Sequence, residues 1–161
     1  DEEDRLKAAI QLQGLKPVRV LLTHGHGEHT GALRAIQSAY AIPAFIHEKE
    51  LSLIGDLSSS VDGSVTDGWR TTAGGLEIRA MALPGHTPGG IAYAVEDVVF
   101  SGDALFAGSL GGTRSAEAYT GQLRAVREKV LNLPDTTTIF PGHGPATTAG
   151  EERRHNPFFI S

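Results

Sequence analysis

The sequence predicts a mixed α/β (α+β) domain in which two β-sheets are flanked by helices. Three observations carry this reading. Short apolar runs of strand length alternate with segments of helical period along the chain. The strand-like runs lead into turns rich in glycine and proline, around Gly25, Gly85, Gly102 and Gly142. At 161 residues the chain is expected to form one domain, residues 1–161, long enough to bury a sizeable core without disulfides.

The elements follow in order. Asp1-Glu2-Glu3-Asp4 leads into a helix expected over residues 6–15, since acidic residues at a helix start complement its dipole; Gly14 and Pro17 close it. Residues 18–23 read as a buried strand, and residues 30–40 place Leu33, Ile36 and Tyr40 at helical spacing. A short strand over 42–47 and a short helix over 49–57 follow. Residues 57–68, with Ser58-Ser59-Ser60 and Asp62-Gly63, read as a polar loop. Strands are expected over 76–83, 91–95 and 98–101, the last two joined at Glu96-Asp97. Residues 116–131 are the clearest helix, with Tyr119, Leu123, Val126 and Val130 on one face. A last strand over 136–140 and a terminal helix or turn over 151–159 complete the chain. No internal repeat or linker stands out.

Composition narrows the function classes. A formal charge of −5 argues against a nucleic-acid partner, which favours a basic face. No apolar run reaches the roughly 18 residues of a membrane span, and no signal-peptide pattern opens the chain. The lack of cysteine fits a reducing compartment and excludes a thiol nucleophile. The expectation is a cytoplasmic protein with a small-molecule partner and no membrane contact; oligomeric state is not legible.

Chemistry concentrates in Thr23-His24-Gly25-His26-Gly27-Glu28-His29-Thr30-Gly31. Imidazole and carboxylate are the usual ligands of zinc and similar ions. His24 and His26 are two apart, so an extended segment points both the same way and one ion can take both. Glu28 and His29 lie one step on, where a turn or helix start can aim them at a second ion. His86 in Leu83-Pro84-Gly85-His86-Thr87-Pro88-Gly89-Gly90, Asp103 after Val98-Val99-Phe100-Ser101-Gly102, and His143 in Pro141-Gly142-His143-Gly144-Pro145 add three further stations. Each sits where loops at the ends of a rigid scaffold carry catalytic groups. Together they point to a two-metal site, and such sites are most often hydrolytic.

This pattern resembles the metallo-β-lactamase-fold hydrolases, whose motif is His-x-His-x-Asp-His, a distant His, an Asp and a final His. The chain matches at His24, His26, His29, His86, Asp103 and His143, with Glu28 in place of the family's Asp. Within the superfamily it is most similar to short glyoxalase II-like (hydroxyacylglutathione hydrolase-like) proteins. Gly85-His86-Thr87-Pro88-Gly89, Ser101-Gly102-Asp103-Ala104-Leu105-Phe106-Ala107-Gly108-Ser109 and Pro141-Gly142-His143-Gly144-Pro145-Ala146-Thr147-Thr148 carry that likeness. The resemblance implies a four-layered αββα sandwich, and it implies that the amino-terminal strands of one sheet are missing here. It further implies two divalent ions, zinc first and iron or manganese as alternatives. His24, His26 and His86 would hold the first, and Glu28, His29 and His143 the second. Asp103 would bridge them, and a metal-bridging hydroxide would attack a thioester such as a hydroxyacyl-glutathione-like substrate. Glu28 and Asp103 are the catalytic candidates.

Two other functions fit the same residues. His24, His86 and Asp103 could form the two-His, one-carboxylate triad of a mononuclear iron persulfide dioxygenase. Alternatively, Glu28 in place of Asp could mark a catalytically impaired binding domain. Outside the motif, His47 reads as a local cap, Trp69 as packing, and Arg153-Arg154 as partners of Glu151 and Glu152. Gly111-Gly112-Thr113-Arg114 lacks the Gly-Lys-Ser/Thr ending of a phosphate loop.

Overall fold

The structure is a computed structural model describing residues 2–160. Helix α1 (Glu2–Leu12) leads through an extended segment to β1 (Val20–Leu21), then α2 (Gly27–Thr30), α3 (Leu33–Tyr40) and β2 (Ala44–Ile46). A 3-10 turn (Glu48–Glu50), α4 (Leu51–Ile54) and a second 3-10 stretch (Gly55–Ser60) lead to β3 (Gly63–Ser64). Then come β4 (Arg70–Ala73), β5 (Leu76–Ala82), β6 (Ile91–Val95), β7 (Val98–Gly102), β8 (Leu105–Phe106) and β9 (Ser109–Leu110). Helix α5 (Ala116–Lys129), β10 (Thr138–Pro141), β11 (Thr147–Thr148) and α6 (Ala149–His155) close the described chain.

The strands form a parallel three-stranded sheet in the order β1-β2-β3 and a mixed six-stranded sheet in the order β11-β10-β7-β6-β5-β4. Among the described residues, β8 and β9 pair with each other as a separate two-stranded sheet. Three apolar cores fix the layering. Leu22, Leu33, Ala44, Ile46 and Ile54 join the small sheet to α3 and α4. Val65, Ala80, Ile91 and Tyr93, with Leu21 and Phe45, lie between the sheets. Met81, Val99, Val126, Val130 and Ile139 join the large sheet to α5. The period of two explains this division: in β5, Ala80 serves the inner core and its neighbour Met81 the helix-facing one. Likewise Leu21 and Leu22 point to opposite sides of the small sheet. The layers are therefore helix, sheet, sheet, helix, as the resemblance implied.

Helix ends follow local chemistry. Ser115 caps α5 by accepting from the Ala118 amide at 3.1 Å, and Thr148 caps α6 by accepting from Glu151 at 3.2 Å. Helix α3 stops at Ala41, which takes a left-handed conformation with φ 52°.

Several expectations are corrected. The expected loop over 57–68 holds a 3-10 stretch and β3, and Val65 is fully buried. Its serines and aspartate hide a strand because parallel pairing to β2 needs only backbone groups. Helix α1 begins earlier than residue 6 and takes in the acidic residues; Asp1 lies outside the described residues. The 49–57 helix is shorter, divided between 3-10 and α turns. Strands β4, β8, β9 and β11 carried no periodic apolar signal. On α5, Gln122 and Val126 are buried while Tyr119 is exposed, with its ring 6.5 Å from that of Phe158. The terminal segment is, as expected, a short helix, ending at His155, and then a turn over 157–159. No helix among the described residues is long and apolar enough to cross a membrane.

Candidate metal centre

The site lies where the ends of β1, β7 and β10 meet the turn before β6. Backbone bonds hold these ends together. The Ile91 amide donates to the Thr23 carbonyl at 2.8 Å, and the Gly142 amide donates to the Gly102 carbonyl at 2.9 Å. Gly102 has φ 53°, and a β-carbon there would come within 2.7 Å of the Thr23 side chain. Glycine thus lets β7 pass β1 closely and delivers Asp103 to the centre.

The structure brings all seven sequence-identified residues together. Three groups of possible ligand atoms each fall within 4.8 Å: His24 with His26 and His86, His24 with His29 and Asp103, and Glu28 with His29 and His143. Asp103 is central. Its Oδ1 is 3.3 Å from Nε2 of His29, and its Oδ2 lies 3.4 Å from His143, 3.6 Å from His86 and 4.0 Å from His24. His24 and Asp103 are buried, His26, His29 and His86 half-buried, and Glu28 and His143 exposed.

Partners outside the cluster orient the rings. His86 Nδ1 lies 2.8 Å from the Gly112 carbonyl oxygen. A carbonyl only accepts, so in the neutral ring this nitrogen carries the proton and Nε2 presents its lone pair inward. That Nε2 is 3.1 Å from Nδ1 of His26. His24 Nδ1 is 3.1 Å from the Thr23 hydroxyl, which turns Nε2 toward Asp103. Burial, followed by the nearby His29, His26, His86 and His143, holds the His24 pKa down to about 3. The ring is therefore neutral at physiological pH, as a metal ligand must be. At Glu28, its own backbone amide leads the influences that hold the carboxyl below the usual range; desolvation opposes it, and the charges of His26, His29 and His143 add to it.

The donor set fits divalent metal ions on a direct observation. Nε2 of His24, Nε2 of His29 and Oδ1 of Asp103 are buried without a hydrogen-bond partner. Such atoms cost about 1–3 kcal/mol each when left unsatisfied, and three converging on one point call for a cation.

Two buried polar residues near the site carried no sequence signal. Gln122, on α5, donates through Nε2 to the Ala104 and Gly111 carbonyls at 3.1 and 3.0 Å, bracing the segment after Asp103. Glu50, in the 3-10 turn, is fully buried and reaches the loops of His24 and His86. Both look like ordinary solvated helix residues in the sequence. His47 does act as a cap, accepting from the Lys49 amide at 3.1 Å. Trp69 packs against Phe45, ring centres 5.7 Å apart. Arg154 pairs with Glu151 and Asp135, and Arg153 with Asp135; Glu152 instead accepts from Gly108, Thr147 and Asn156.

A groove of about 470 Å³ opens from the ligands, lined by His26, His86, Leu53, Pro84, Pro88 and Arg114. A larger hollow of about 590 Å³, between Leu76, Ala94, Leu133 and Thr137, includes none of the seven residues.

Comparison with known proteins gives the family and the fold. Residues 1–143 match the family model described as the metallo-beta-lactamase superfamily. The "Probable metallo-hydrolase YqgX" of Bacillus subtilis (strain 168) is 33% identical, over 98% of this chain and 82% of its own length. The hydroxyacylglutathione hydrolase GloC of Haemophilus influenzae is also 33% identical, over 99% of this chain and 84% of its own. Among solved structures, the BLEG-1 B3 metallo-beta-lactamase superposes with a TM-score of 0.89 at 34% identity, covering 99% of this chain and 85% of that one. TTHA1623 in a di-iron-bound form gives a TM-score of 0.81 at 34% identity, covering 98% and 85%.

Proposed function

The chain belongs to the metallo-β-lactamase superfamily, and from that premise we propose that it is a binuclear metallohydrolase acting on a thioester, of the hydroxyacyl-glutathione class. The observation that carries the binuclear reading is the position of Asp103. One carboxylate lies within 4.0 Å of histidines from both sets: Oδ2 faces His24, His86 and His143, and Oδ1 faces His29. In this reading His24, His26 and His86 hold the first ion, Glu28, His29 and His143 the second, and Asp103 is shared. When bound, the ions supply Lewis acidity toward the scissile carbonyl and toward water.

The chain's own residues supply the rest. Gly112 fixes the His86 ring and Thr23 the His24 ring, so the ligand atoms are pre-aimed before loading. Glu28 fits ligation better than general-base work, because a carboxyl held below the usual range is a weaker base. In this reading the groove beside His26 and His86 takes the substrate, with Leu53, Pro84 and Pro88 as apolar lining and Arg114 as a cation among them. The thioester class rests on the likeness to GloC and on the motif strings. The reading includes zinc as the resident metal, although the di-iron form of TTHA1623 keeps iron in view. It also includes a cytoplasmic setting and a small-molecule substrate.

Metal analysis of the purified protein, followed by a panel of thioesters, tests the proposal. About two ions per chain and hydrolysis of at least one thioester are expected. One iron per chain with oxygen uptake on a glutathione persulfide would transfer the assignment to the dioxygenase; the second cluster, Glu28 with His29 and His143, favours the hydrolase.

A further inference from the structure

Glu50 is fully buried, and its two carboxylate oxygens are divided between two loops. Oε2 accepts from the Gly25 amide at 2.8 Å, and Oε1 accepts from the Gly89 amide at 2.6 Å. Gly25 lies between His24 and His26. Gly89 lies three residues after His86. The two loops are about 60 residues apart in sequence, and between them they carry all three ligands of the first set. We propose that Glu50 is a positioning residue that clamps these two loops into register, and so sets the geometry of the His24, His26 and His86 donor set. The inference rests on the binuclear reading above for its metal readout.

The surroundings support a clamp. A β-carbon at Gly89 would come within 2.9 Å of both Glu50 Oε1 and His47 Nδ1. One at Gly25 would come within 3.0 Å of the Glu50 carbonyl oxygen and 2.9 Å of Leu53 Cβ. Both glycines are therefore dictated by close approach of the turn that carries Glu50. His47 caps that turn through Nδ1, so the carboxylate is delivered from a fixed backbone. A buried carboxylate needs compensating donors, and the two amides provide them. Glu50 makes no direct bond to Glu28, His29 or His143, so the clamp acts first on the His24, His26 and His86 set and reaches the other set only through the chain beyond His26.

The chemistry distinguishes conservative substitutions. In Glu50→Gln one oxygen becomes an NH2 that faces an N–H donor, so one loop loses its acceptor. In Glu50→Asp the charge remains, but the side chain is one methylene shorter and cannot reach both amides. Both variants should lower first-ion affinity by about tenfold or more, measured by titrating zinc alone into chelator-stripped protein, while second-ion affinity changes less than threefold. Amide hydrogen exchange of the zinc-free protein gives a metal-independent readout. Gly25 and Gly89 should lose protection in both variants, while β5 and β6 keep theirs. Unchanged first-ion affinity, or unchanged protection at both glycines, overturns the clamp. Equal loss of protection in the loops and the large sheet also overturns it, by making Glu50 a general support of the core. If wild type binds neither zinc nor iron(II) nor manganese(II), the binuclear reading fails, and exchange at Gly25 and Gly89 alone decides the clamp.

Discussion

Gly142 packs its α-carbon against the Asp103 carboxylate: a β-carbon there would overlap Oδ1 and stand 2.7 Å from Cε1 of His29. The glycine turn after β10 is thus part of the centre rather than a linker to it. Its backbone amide also joins β7 through the Gly102 carbonyl. Gly142→Ala needs no unusual backbone angle, so its effect isolates the steric contact. It should weaken metal binding by about 10–100-fold and cost about 1–3 kcal/mol of stability from overpacking. Metal titration and thermal melting measure the two, and wild-type affinity in the variant would refute the contact's role.

Glu28 reaches His29 and His143 from an exposed position at the start of α2. Its extra methylene gives it more rotamers than aspartate, and ordering them opposes ligation. Glu28→Asp should therefore bind the second ion more tightly than wild type, with the first ion unchanged. Equal second-ion affinities in a paired titration would remove this account.

Removal of metal should lower stability. Nε2 of His24 and His29 and Oδ1 of Asp103 are buried and make no hydrogen bond, and ions that bind the folded chain preferentially stabilise it. A chelator should lower the melting temperature, and zinc, iron(II) or manganese(II) added back singly should restore it in order of affinity. A melting temperature indifferent to chelator and to added metal would contradict the centre.

Asp67 gives a pH dependence away from the site. It accepts from Lys129 Nζ at 2.7 Å and from the Ala82 amide at 2.8 Å, tying the end of β5 to α5. Desolvation is the largest single influence and pushes its pKa up. The Lys129 hydrogen bond, the Ala82 amide and the Lys129 and Arg79 charges together outweigh it, so the pKa lies below its ordinary 3.8. A lowered carboxylate pKa means the unfolded chain binds the proton more readily. The stabilisation is therefore present above pH 3.8 and fades as pH falls through the folded value. Because the pair is half-exposed, Asp67→Asn should cost less than about 1 kcal/mol at neutral pH. Denaturant melts of both proteins from pH 7 to pH 2 should converge at the acid end.

The sequence by itself determined the candidate ligands and a mixed α/β order of elements, with two sheets flanked by helices; the four-layered sandwich came from the family resemblance. Glycine-flanked histidines after strand-length apolar runs are local signals, and so is the apolar face of α5. It left Glu50 and Gln122 indistinguishable from solvated helix residues, and it concealed β3 within a serine-rich segment. Those features depend on contacts between residues far apart in the chain. The amides of Gly25 and Gly89 converge on one carboxylate only after both sheets have packed across Val65, Ala80, Ile91 and Tyr93. Whether a polar side chain is buried, and which backbone groups it satisfies, is set by that packing and not by its neighbours in sequence.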